Sequence, residues 1–123
     1  MKVKDLKAGL DNIEILVRVI LTREPTVIET KSGARKIQEA IVGDETGRVN
    51  LTLWGDLAGF IKQGFVYRIY NGWTTAYRGR VRLHAGSKSK IVQVDNSDIP
   101  IAELIPSTTP YAGEYRFPLK KKS

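Results

Sequence analysis

In residues 13–21, IEILVRVIL, a period of two puts Ile13, Ile15, Val17, Val19 and Leu21 on one face, as in a half-buried strand. Pro25 interrupts this run, and Thr26–Thr30 reads as a second extended segment ending in a turn at Lys31-Ser32-Gly33-Ala34. RKIQEAIVG, residues 35–43, predicts the next strand. Gly43-Asp44-Glu45-Thr46-Gly47 is a hairpin signal, and RVNLTLW, residues 48–54, alternates cleanly after it. Gly55–Gly64 has room for one or two helical turns. FVYRIYNGW (65–73) and YRGRVRLH (77–84) predict two more strands, joined by Thr74-Thr75-Ala76. Gly86–Ser89 reads as a loop and Lys90–Val94 as a last short strand. Five or six short strands with no long helix predict an all-β barrel or sandwich.

Two strands alternate well enough to assign faces. Val49, Leu51 and Leu53 form an apolar face, which leaves Asn50, Thr52 and Trp54 on the opposite one. Val81 and Leu83 point inward, so Arg80, Arg82 and His84 point outward. An outer face with an aromatic ring and a row of arginines suits a single-stranded nucleic acid: bases stack on rings and guanidinium groups neutralise phosphates. Trp73 and Tyr77 flank the 74–76 connection and are either further stacking rings or core packing. His84 is either a stacking ring or an exposed strand residue. Tyr70 and Phe65 are assigned to packing, and Phe60 to capping the barrel. The polar loop with Thr30, Lys31, Gly33, Arg35 and Lys36 either clamps a backbone or is a solvated turn.

Charge sharpens this picture. The chain has 123 residues, 20 Lys plus Arg against 13 acids, and a formal net charge of +7. Residues 1–76 are nearly balanced, whereas 77–91 carry Arg78, Arg80, Arg82, Lys88 and Lys90 with no acid. Such a strip attracts polyanions. Chemistry is sparse by comparison. There is no cysteine and one histidine, so neither a disulfide nor a zinc site is expected. No serine or lysine has an identifiable base partner, and the acids are scattered, so no catalytic or metal-dependent nuclease set emerges. Asp44 and Glu45 read as part of a plain turn. No apolar run approaches the roughly 18 residues of a membrane span, and the N-terminus has no signal-peptide core. A soluble cytoplasmic protein is expected.

The blocks AIVGDETGRVNLTLWG and NGWTTAYRGRVRL resemble the single-OB single-stranded DNA-binding proteins of crenarchaea. These are similar to the B subunit of the eukaryotic SOSS complex and to OB domains of replication protein A. The resemblance covers roughly residues 2–94. It implies a five-stranded OB barrel with a short helical element between the third and fourth strands. It implies base stacking at Trp54, Trp73 and Tyr77, with a weaker stacking role at His84. Groove contacts are expected from Thr30, Lys31, Arg35, Asn50, Thr52, Arg78, Arg80, Arg82 and Lys88. The implied function is coating single-stranded DNA in replication, recombination and repair, without metal or cofactor and near the nucleoid, as a monomer or an assembly on DNA. RNA binding and a mainly protein-binding OB domain are the competing readings. The expected organisation is a binding domain at 1–94, a packing extension at 95–105 and a flexible basic tail at 106–123. That tail departs from the long Gly/Arg-rich, acidic-ended tail of crenarchaeal members.

Overall fold

The computed structural model describes residues 1–95 and 97–112. Seven strands form one sheet: β1 (Ile13–Thr22), β2 (Thr26–Thr30), β3 (Gly33–Asp44), β4 (Gly47–Trp54), β5 (Val66–Tyr77), β6 (Arg80–Ala85) and β7 (Lys90–Val94). The order β1-β3-β4-β6-β5 closes on itself through a β1–β5 pairing, which makes a five-strand ring. β2 extends β3 as a hairpin, and β7 pairs with β5 outside the ring. Closure depends on β1 serving two partners. Its first half pairs with β5 and its second half with β3, changing over at Arg18 beside a register irregularity between Val19 and Leu21. An extra residue in one strand bends it, and a barrel needs such a bend to close.

The alternation read from the sequence fills the interior. Ile15, Val17, Val19, Val42, Val49, Leu51, Leu53, Ile69, Val81 and Leu83 are all buried in one cluster. Each such side chain contributes roughly 1.5–3 kcal/mol on burial. Two of the expected packing residues behave otherwise, since Phe60 and Phe65 are exposed. Phe60 lies against the ring of Tyr67, with ring centres 6.3 Å apart and planes tilted by 55°. The helical element after β4 is a single 3-10 turn, Gly55–Leu57. Another, Ala102–Leu104, lies within the segment expected to be a packing extension.

The largest difference in the strands concerns residues 74–76. They are not a connection: β5 runs unbroken to Tyr77, and Thr74, Thr75 and Ala76 pair with Leu83, Arg82 and Val81. The turn is the two-residue Arg78-Gly79, with φ of 53° and 79°. Positive φ at both central positions is the type I′ hairpin requirement, for which Asn-Gly is the familiar signal. An arginine in the left-handed region costs roughly 1–2 kcal/mol and conceals the turn.

Residues 97–105 pack on the barrel through Ile99 and Ile105, which cluster with Val66, Leu16, Ile20 and Val94. Arg18 donates from its guanidinium to the carbonyls of Ile99, Pro100 and Gly64. The chain expected to be loose from residue 106 is held through 112. The Arg48 amide donates to the Thr108 carbonyl, the Val81 amide to Pro110 and the Ala112 amide to Gly79. The Arg48 side chain also caps the carbonyls of Ile105 and Pro106. We call residues 105–112 the strap. The rest of the expected tail, including Lys120–Lys122, lies outside the described residues.

Candidate nucleic-acid interface

Strand register lays the outer face of the barrel out in rows. Glu39, Thr52, His84 and Trp73 are paired in sequence across β3, β4, β6 and β5. The next row holds Ile41, Asn50, Arg82 and Thr75, and a third joins Arg80 to Tyr77. Trp54 lies one pleat beyond Thr52, opposite Ile37. Trp54, Arg80 and Arg82 therefore lie on the outer face, as their parity predicts. The extension of β5 places Trp73 and Tyr77 on the same face of one strand, four residues apart, which is a spacing of roughly 13 Å.

Trp54, His84 and Trp73 form one aromatic group. The rings of Trp73 and His84 are 5.3 Å apart and 8° from parallel, and those of Trp54 and His84 are 6.2 Å apart at 25°. His84 is only 7% exposed, and both its ring nitrogens are used. The indole Nε1–H of Trp54 donates to Nδ1 at 3.1 Å, and Nε2 lies 2.9 Å from the Thr75 hydroxyl. An indole N–H can only donate, so Nδ1 must accept, and the proton of the neutral ring sits on Nε2. Burial, with Arg82 adding to it, lowers the His84 pKa from 6.5 to about 4. His84 thus sits between the tryptophans as a spacer that ties Trp54 to β5. It is far more enclosed than the exposed strand residue allowed by its sequence. Gly86 packs on the Trp73 ring: a Cβ there would lie 3.1 Å from that ring and 3.5 Å from the Cβ of Trp54.

This arrangement carries a pH dependence. The folded-state pKa lies below the unfolded value, so between pH 6.5 and about 4 the unfolded chain takes up a proton that the folded protein refuses. Stability is full above pH 6.5 and declines through that window as pH falls. Thermal midpoints measured from pH 7 to pH 4 should show the decline, with a shallower slope in His84→Gln. The same slope in both proteins would show that His84 is not its source.

The remaining expected residues divide. Tyr77 is 52% exposed, with the guanidinium groups of Arg82 and Arg78 at 4.9 and 5.3 Å from its ring centre. Arg35 lies 5.8 Å from the Trp54 ring, and Lys31 is exposed at the tip of the β2–β3 hairpin. Arg80 and Asn50 are exposed on the same face. Lys88 lines a cleft of about 590 Å³ beside Trp73, with Asn12, Asn71 and Ser87. Two residues are not offered to a ligand. Thr52 is 2% exposed, with its hydroxyl engaged by Glu39 and Arg82. The Thr30 hydroxyl donates to the Gly33 carbonyl and accepts from the Ser32 amide, which closes its own turn. Glu39 is the residue that sequence reasoning missed. Its carboxylate holds Arg82 at 3.1 Å in the middle of the basic face. With Ala40 and Val42 inward, the alternation along β3 already puts Glu39 outward.

A closed five-strand ring with an aromatic group on one open face is the architecture of an OB fold. The family model for Ssb-like single-stranded DNA-binding proteins with an OB fold matches residues 6–99. The chain belongs to this family. It is 51% identical over 111 residues to the single-stranded DNA binding protein Ssb of Saccharolobus solfataricus, covering 90% of this chain and 75% of that protein. Among solved structures, the second OB-fold domain of replication protein A from Methanococcus maripaludis superposes with a TM-score of 0.67 at 21% identity, covering 79% of this chain and 96% of that one. A replication protein A heterotrimer bound to single-stranded DNA gives 0.65 at 13% identity, covering 89% of this chain and 27% of that one. At these identities the two structures speak to the fold alone. Among the described residues, no helix is long and apolar enough to cross a membrane.

Proposed function

We propose that the protein is a sequence-tolerant single-stranded DNA-binding protein, a binder and not an enzyme. The observation that carries this reading is the aromatic group Trp54–His84–Trp73 on the open face of the barrel, continued by Tyr77 with two guanidinium groups near its ring. Every base has a π face, so rings select unpaired bases without selecting sequence, and paired bases in a duplex withhold those faces. Arg35, Arg78, Arg80 and Lys88 serve the phosphates. Arg82 is held by Glu39 and acts mainly on Tyr77. The protein coats exposed strands during replication, recombination and repair, and its ligand places it at the nucleoid. Replication or repair proteins are its partners on the strand.

Oligo-dT should bind tightly, with quenching of tryptophan fluorescence, and the matching duplex much more weakly. With four exposed cations engaged, log affinity should fall against log salt with a slope of about −3. Equal affinity for single strand and duplex would refute the reading. Competition by RNA of matching sequence tests the 2′-hydroxyl, to which stacking and phosphate contacts are indifferent. Preferential RNA binding would reassign the ligand.

A further inference from the structure

We infer that Tyr111 is a further base-stacking residue, delivered to the binding face by the strap. The inference rests on the proposed function. It also lies beyond the part of the chain that the family model matches, which ends at residue 99.

Tyr111 forms an antiparallel bridge with Arg80. Residues directly opposite in a bridge project to the same side of the sheet. Arg80 projects to the outer face in register with Tyr77. Tyr111 therefore prolongs the third row to Tyr77–Arg80–Tyr111. At about 4.8 Å per strand, its backbone lies roughly 10 Å from that of Tyr77. The Arg80 guanidinium lies 4.3 Å from the Tyr111 ring centre, and the ring is 68% exposed. This repeats the pattern at Tyr77: an exposed ring beside an arginine.

The strap lies in a seat that the barrel leaves for it. A Cβ on Gly47 would fall 2.6 Å from the Thr108 carbonyl oxygen, and one on Gly43 would fall 2.8 Å from Ile105 Cγ2. Main-chain bonds on both sides of Tyr111, Val81 to Pro110 and Ala112 to Gly79, fix its register against Arg80. A cover for the barrel end needs Ile105 and the backbone bonds.

The test uses the full chain, Tyr111→Ala and Tyr111→Phe, with a short oligo-dT of about four nucleotides and a longer one of about twelve, inside the range of OB-fold site sizes. Tyr111→Ala should bind the longer strand about fivefold more weakly and the short one as the wild type does. Tyr111→Phe should match the wild type on both. A strand carrying 5-iodouracil should photocrosslink to Tyr111 in the wild-type protein. Wild-type affinity of Tyr111→Ala for the longer strand would overturn the inference. So would an equal loss on both strands, and so would crosslinks that never include Tyr111. Failure of the wild type to bind either strand would refute the proposed function itself.

Discussion

Replacing Trp54 and Trp73 together with alanine should lower affinity for oligo-dT by roughly 30- to 25,000-fold and leave the barrel folded. Each base–ring stack is worth about 1–3 kcal/mol, and two are removed. The barrel survives because both side chains lie on the outer face, only partly buried, and the interior cluster contains neither. The two losses will not simply add. Trp54 also donates to His84 Nδ1, and His84 stacks on Trp73, so removing one ring loosens the support of the other. Trp54→Phe separates the contributions: it keeps a stacking face and loses the indole N–H, so it should cost much less than Trp54→Ala. Fluorescence anisotropy with a labelled oligonucleotide measures each variant. A double-variant loss below about fivefold would show that these rings are not the main binding platform.

Asp44→Ala should destabilise the protein by about 3–5 kcal/mol, the second large effect. Asp44 is fully buried at the end of β3. Its carboxylate accepts from the Val3 amide at 2.9 Å, the Thr46 amide at 2.8 Å and the Thr46 hydroxyl at 2.6 Å. Hydrogen bonds to a charged acceptor contribute about 1.5–3 kcal/mol each, and alanine leaves donors without a partner. The effect also spreads beyond the turn, because Thr46 touches the N-terminal segment through Lys4 and the strap through Thr108. A thermal melt and urea titration measure the loss. A change below 1 kcal/mol would mean that water replaces the carboxylate, which the burial argues against.

The strands of the ring were legible because each keeps one apolar face, as in Val49-Leu51-Leu53 and Val81-Leu83. Parity then placed Trp54, Arg80 and Arg82 outward with no knowledge of the third dimension. What escaped reading had nonlocal or disguised causes. The Arg78-Gly79 turn lacks the usual Asn-Gly, so Thr74–Ala76 passed for a connection. The burial of His84 comes from its neighbours on β4 and β5, which only register reveals. The commitment of Thr52 to Glu39 and Arg82 needs three strands at once. The docking of residues 106–112 depends on Gly43 and Gly47, and nothing in the proline-rich segment itself announces a partner some 60 residues earlier. The competing protein-binding reading gains no support from a face whose rings and cations converge.

The strap has one consequence for behaviour at high concentration. β4 and β6 run parallel and pair only from Asn50 to Leu53, so their first residues diverge. There the amides of Arg48 and Val81 would stand as open strand edges, and the strap's Thr108 and Pro110 carbonyls occupy them. Exposed edges of this kind recruit strands from other molecules. The strap thereby satisfies both amides from within the same chain. A protein shortened ahead of Thr108 would be expected to pair edge to edge with its own copies even without DNA.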